Sequence, residues 1–249
     1  MHNKFIFHDS TYSIISGSGL DIHFGYVYKE GYFTWVDESF IYHTNKELLS
    51  VYSAEDGWKV VDSVYNYDFT SVFSSPNKVY FGTDTLGILY LDKEILTNHP
   101  TSSGVYSSFE TYKQYPEITG NYVRHIHGYN DRLVCVTNSG IDYIKQEPNG
   151  YRSLHQTEYA RRCFVTEDGS LYYITTSGSH TQVNRCVNCL TDWSEPDVSY
   201  SFFEPGVYVN DLKVHKLNTG SLVLLATNYG VYVINEQNET IDIYRKIGE

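Results

Sequence analysis

Basic charge is what this chain most lacks: 18 Lys and Arg stand against 30 Asp and Glu, a formal net charge of −12. Nucleic-acid binding through counterion release needs a basic face, and anionic membrane surfaces are disfavoured by the same sign. Neither is an expected partner. Long apolar runs are missing as well. No segment approaches the roughly 18 uncharged apolar residues of a membrane span. Met1 to Asp9 holds no apolar stretch with a small-residue cleavage site, so no secretory signal is read there. An intracellular or virion-associated protein is expected. Cysteine is scarce, and Cys135, Cys163, Cys186 and Cys189 read as reduced thiols rather than a disulfide framework. Catalytic signatures are absent too: there is no G-x-S-x-G elbow, no P-loop and no G-x-G-x-x-G. No catalytic residue and no cofactor is expected.

What the sequence has instead is aromatic: 25 Tyr, 12 Phe and 3 Trp in 249 residues, a composition suited to short twisted strands rather than helices. With 41% hydrophobic side chains the chain can bury one core, read as a single domain over 1–249. A unit repeats. An apolar run ends in Ser or Thr, a short turn usually holding Gly follows, and a second alternating run begins. Leu133-Val-Cys-Val-Thr137-Asn-Ser-Gly140 and Leu224-Leu-Ala-Thr227-Asn-Tyr-Gly230 are the clearest copies, with Val79-Tyr-Phe-Gly-Thr83-Asp-Thr-Leu-Gly87 one residue longer. Upstream of each lies another period-2 run closed by a polar turn, among them Phe69–Pro76, Arg124–Asn130, Cys163–Gly169 and Leu212–Asn218. These are hairpin signals.

The markers Ser16, Thr44, Thr83, Thr137, Thr175 and Thr227 are spaced by 28, 39, 54, 38 and 52 residues. Their mean of about 42 is that of a four-stranded propeller blade. The expected fold is therefore all-β, a single β-propeller of six blades, the rival count being five blades plus an N-terminal closing segment. Radial repetition leaves only short, protected edges. The Ala226-Thr-Asn-Tyr-Gly-Val-Tyr-Val-Ile234 stretch, echoed at Thr137 and Thr83, resembles the repeat of the two-component-regulator propellers. That resemblance covers about the central third of each unit and implies the fold. The membrane helix and kinase commonly joined to those propellers are not in this sequence, nor is the Trp-Asp dipeptide of WD repeats.

Two long spacings mark insertions, Ile95–Asn121 and Cys189–Asn210. Their aromatics Tyr106, Tyr112, Tyr115, Trp193, Tyr200, Phe203 and Tyr208 are candidate interface anchors, since rigid rings with a polar tip suit both protein contacts and sugar stacking. Arg124, His125, His127, Arg162, Lys213 and His215 fall on or beside expected innermost strands, and form a candidate anion site through guanidinium and imidazole donors. Cys186-x2-Cys189 with Cys163 and His180 could be written as a zinc set. Residues three apart face opposite sides of a strand, so no metal is expected.

The expected function is a non-catalytic structural or docking module in a larger protein assembly, such as a virion or phage tail, with other proteins as partners. A glycan-binding propeller is the alternative. Repeated sugar sites would need the same aromatic and polar residues at equivalent positions, and aligning the units shows no such identity outside the turns. A glycan-cleaving enzyme is the third reading. It rests on one stretch, Ser53-Ala-Glu-Asp-Gly-Trp58, that resembles the Asp-box turn of sialidases.

Overall fold

The computed structural model describes side chains at residues 69–94, 118–130, 132–145, 155, 159–176, 180–187, 199–201, 206–237 and 240–244, and elsewhere strands alone. The chain divides into two units, Met1–Asn66 with Thr101–Tyr106, and Tyr67–Pro100 with Ser107–Glu249. In the first, β1 (Lys4–His8) pairs with β2 (Thr11–Ile15). A six-stranded meander follows: β3 (Asp21–His23), β4 (Tyr26–Lys29), β5 (Tyr32–Val36), β6 (Ile41–Thr44), β7 (Leu48–Ser53) and β8 (Gly57–Ser63). The sequence reading expects a blade boundary inside this stretch. Antiparallel pairing instead runs unbroken from β3 to β8.

The second unit contains four four-stranded antiparallel sheets, each a meander. The first sheet holds β9 (Phe69–Ser74), β10 (Lys78–Thr83), β11 (Ile88–Asp92) and β12 (Glu110–Thr111). The next holds β13 (Val123–Tyr129), β14 (Arg132–Thr137), β15 (Ile141–Glu147) and β16 (Gly150–Gln156). The third is β17 (Ala160–Val165), β18 (Leu171–Ser177), β19 (His180–Cys186) and β20 (Val198–Phe203). The last is β21 (Val209–Leu217), β22 (Gly220–Thr227), β23 (Gly230–Asn235) and β24 (Thr240–Arg245). Both expected insertions thus carry the fourth strand of their sheet, β12 and β20.

Packing explains why the second strands read as unbroken apolar runs. In β14, Leu133 and Cys135 face the preceding sheet, where they meet Ile88 and Tyr90. Val134 and Val136 face the following one, against Cys163, Val165 and Tyr173. In β18, Leu171 and Tyr173 look back and Tyr172 and Ile174 look forward to Val209, Val223 and Tyr232. A strand covered on both sides loses its period-2 polar face. The edge strand β24 is covered on neither count, and Ile241, Ile243 and Tyr244 are exposed.

The recurring threonine closes the turn that follows it. Thr83, Thr137 and Thr227 donate through Oγ1 to the carbonyls of Gly87, Gly140 and Gly230 at 2.9, 3.3 and 2.8 Å. Each hydroxyl also accepts a turn N–H, from Leu86, Ser139 and Tyr229. The glycines sit at φ of 78°, 140° and 143°, a region that favours glycine. The same threonines, with Thr175, lie opposite the first residue of each innermost strand: Phe69, Val123, Ala160 and Val209. One extra residue then interrupts each register, at Thr70, Arg124, Arg161 and Asn210. These are β-bulges, which re-aim the side chains around them.

Candidate functional site

The bulge at the head of each innermost strand is preceded by a tyrosine in three consecutive sheets. Tyr122-Val-Arg-His, Tyr159-Ala-Arg-Arg and Tyr208-Val-Asn-Asp superpose in register, and the tyrosines are 39%, 48% and 58% exposed. Tyr229, in the glycine turn at the same end of the last sheet, is 50% exposed. At two of these tyrosines the backbone is held by the asparagine of the glycine turn. Asn138 N–H donates to the Tyr122 carbonyl at 3.0 Å, and Tyr122 N–H donates back to Asn138 Oδ1 at 3.4 Å. Asn228 repeats the pair with Tyr208 at 3.2 and 2.8 Å, and its Nδ2 donates to the Gly206 carbonyl.

Arg124, the bulged residue of β13, lies between two of the tyrosines. Its guanidinium is 5.4 Å from the Tyr122 ring and 4.4 Å from that of Tyr159, within cation–π range. Beneath Tyr122 the loop is pinned by Asp142. Thr119 donates its N–H and Oγ1 to this fully buried carboxylate, and His155 Nδ1 lies 2.7 Å from Oδ1. Burial pushes the Asp142 carboxyl up against the opposing pull of His155 and Thr119. Thr119 Oγ1 also lies 2.8 Å from that same Nδ1. Hydroxyl and carboxylate thus share one nitrogen, whereas a relay of the Ser-His-Asp type needs them on opposite ring nitrogens.

Past the bulges, the innermost strands bond to one another through side chains. Thr70 Oγ1 donates to the Val123 carbonyl, and Ser71 Oγ accepts from Ile126 N–H at 2.9 Å. His125 Nδ1 accepts from Cys163 N–H at 3.4 Å, His127 Nδ1 accepts from Val165 N–H at 3.0 Å, and Arg162 Nε donates to the Asn210 carbonyl. His125 Nε2 faces Asp211 Oδ1 at 3.3 Å. Burial lowers the pKa of His125 despite Asp211, and lowers that of His127 to about 3. His127 stacks on Phe164 with ring centroids 3.8 Å apart and touches Phe73 at 5.3 Å.

The structure therefore brings together His125, His127, Arg162 and the nearby charge of Lys213, and separates Arg124 from them. Lys213 and His215 are exposed on β21. The imidazoles are neutral acceptors for backbone N–H groups, and the anion that faces them is Asp211. Cys163 Sγ lies 3.5 Å from His125 Nδ1, in the order of a Cys-His-Asp relay. Burial pushes the thiol far above its ordinary range, the reverse of what a thiolate nucleophile needs.

Of the expected interface aromatics, Tyr106, Tyr112, Tyr115 and Trp193 lie outside the described residues, and Phe203 is placed only as a position on β20. Tyr200 is half-buried against the core between the last two sheets, and Tyr208 is the exposed member. Sequence alignment on the glycine turns missed Tyr122 and Tyr159. Aligning on Val123, Ala160 and Val209, which head β13, β17 and β21, finds them, and corrects the reading that no aromatic identity exists outside the turns. Cys186 is in a disulfide, so the expectation of four reduced thiols is corrected as well, while Cys135 and Cys163 are free and buried. A disulfide sulfur is not a thiolate, which removes Cys186 from the zinc set.

A repeat domain of the β-propeller type is what these sheets define, and solved structures agree. No protein-family model matches the chain, and neither does any curated protein. The extracellular domain of BT4673 from B. thetaiotaomicron, assigned to a one-component system, superposes with a TM-score of 0.59 at 16% identity. The match covers 85% of this chain and 28% of that one. The extracellular domain of BT3049, assigned to a hybrid two-component system of the same organism, gives 0.56 at 19%, covering 84% and 29%. Hsv2 of Kluyveromyces lactis gives 0.53 at 11%, covering 96% and 76%. The chain thus spans less than a third of the two extracellular domains. At these identities the likeness concerns the fold.

Proposed function

We propose that the chain is a non-catalytic docking module of a larger protein assembly, of the kind a virion or phage tail uses, and that its contact surface is the tyrosine face. The observation that carries this reading is the repetition of an exposed Tyr at one position of three consecutive sheets, with Arg124 clasped between two of them. Tyr and Arg are the residues that dominate binding energy at protein interfaces. Bonds from Asn138 and Asn228 fix the backbone that carries Tyr122 and Tyr208 before any partner arrives, which lowers the ordering cost of association. The proposal keeps six blades: the first unit has the strands for two, beside four sheets in the second.

Sugar stacking is the second reading, because equivalent aromatics in several units are also what a repeated glycan site requires. Size-exclusion chromatography with light scattering, followed by a glycan array on wild-type and Tyr208→Ala protein, separates the two. Docking predicts stable association with another protein of the source and no array signal that depends on Tyr208. A protein that stays monomeric in its source extract, and whose glycan signal vanishes in Tyr208→Ala, overturns docking in favour of sugar recognition.

A further inference from the structure

At the end of the sheets opposite the tyrosine face, a cleft of about 600 Å3 opens between the last two sheets. Arg185 and Ser199, Tyr200 and Ser201 line it from β19 and β20, and Gly220, Glu236 and Ile241 from the neighbouring sheet. Glu236 stands just past β23, its side chain only 3% exposed. Its Oε2 accepts from Arg185 at 3.0 Å and from Tyr172 at 3.1 Å, and the Tyr172 hydroxyl lies 3.0 Å from Ser221 Oγ. Its other oxygen, Oε1, is buried with no hydrogen-bond partner, as is Arg185 Nε. A buried carboxylate oxygen left unsatisfied is costly, so the pair is incomplete as it stands.

The two vacant positions specify what fits. Oε1 needs a donor and Arg185 Nε needs an acceptor, on a pair whose charges already cancel. A metal ion is opposed by the guanidinium, and an anion is opposed by the carboxylate. An uncharged group that donates and accepts at once meets both demands, and adjacent hydroxyls do so. Tyr200 and Ile241 give it apolar walls suited to the C–H face of a ring. The volume lies in the range of small-molecule sites.

We propose that this cleft is a binding site for a single sugar ring, held by hydroxyl contacts to Glu236 Oε1 and Arg185 Nε. It is independent of the tyrosine face and adds a small-molecule function to the docking role. The test is titration calorimetry and saturation-transfer NMR with glucose, galactose, mannose and N-acetylglucosamine and their methyl glycosides. At least one is expected to bind with a millimolar dissociation constant, and preference for the methyl glycoside over the free sugar identifies a glycan terminus as the source.

Glu236→Gln is expected to weaken binding about tenfold or more. Tyr172 and Arg185 draw the amide oxygen to their side, so the NH2 points into the cleft and cannot accept. Ile241→Trp enlarges an exposed edge-strand residue on the cleft-facing side of β24, fills the cleft without entering the core, and is expected to abolish binding with the melting temperature unchanged. It keeps the test decisive if Glu236→Gln fails to fold. The proposal is overturned if none of the sugars binds, or if binding persists in Ile241→Trp. Neither result bears on the docking reading, which is decided by Tyr208.

Discussion

Alanine at Tyr122, Tyr159 and Tyr208 together is expected to leave the protein folded and to release it from its assembly. The three rings are 39%, 48% and 58% exposed, and surface substitutions of this kind change stability by about 0.5 kcal/mol or less each. Arg124 loses both of its rings, about a further 0.5–1 kcal/mol at an exposed site. At an interface, truncating one tyrosine anchor costs about 2 kcal/mol, so losing two or three weakens association at least about 100-fold. Melting curves and co-purification with the partner check the two halves. A variant that melts as wild type and still co-purifies shows that the partner binds elsewhere.

The second large effect is acid sensitivity. His125 and His127 sit between the innermost strands and are lowered, His127 to about 3. Asp211, Arg162 and Cys163 face His125; Lys213 and His125 itself act on His127. In the unfolded chain both imidazoles titrate near their usual value of about 6.5. Below that pH the unfolded state takes up protons that the folded state refuses. Stability is therefore full above pH of about 6.5 and is lost as pH falls toward 3. One such imidazole contributes up to about 1.4 kcal/mol per pH unit, or about 3 kcal/mol by pH 4. That is a large share of the roughly 5–15 kcal/mol of an ordinary domain. The raised carboxyl of Asp142 acts in the opposite sense. His127→Gln keeps an acceptor for Val165 N–H but takes no proton, and should flatten the acid limb in urea melts between pH 7 and 4. An unchanged slope in that variant contradicts the assignment.

The sheets were legible where side chains obey one rule at a time. Leu133-Val-Cys-Val and Leu171-Tyr-Tyr-Ile read as strands because both faces are buried, and the threonine-glycine turns read as turns because the hydroxyl and the positive φ are local. The starts of the first strands of the second unit's four sheets were legible to within three residues, whereas the run expected to open a sheet at Phe33 is β5, inside the six-stranded ladder. What the side chains of those first strands do was not legible, because the bulges at Arg124, Arg161 and Asn210 depend on pairing with a strand elsewhere in the chain. Period 2 counted through Arg124 groups it with residues from which the bulge separates it. For the same reason His125 and His127 look like free cations in sequence and act as backbone acceptors in the fold. Tyr122 and Tyr159 precede their strands and belong to no periodic run, so only the shared register exposes them. The six-stranded ladder of the first unit carries no turn signal that tells it from two shorter sheets.

Hydroxyl-radical footprinting of the assembly isolated from its source, set against the free protein, tests the tyrosine face directly. The expected result is protection of Tyr122, Tyr159, Tyr208 and Tyr229, with Tyr244, 64% exposed on the edge strand, labelled equally in both states. Labelling of the four tyrosines that is the same in both states would contradict it.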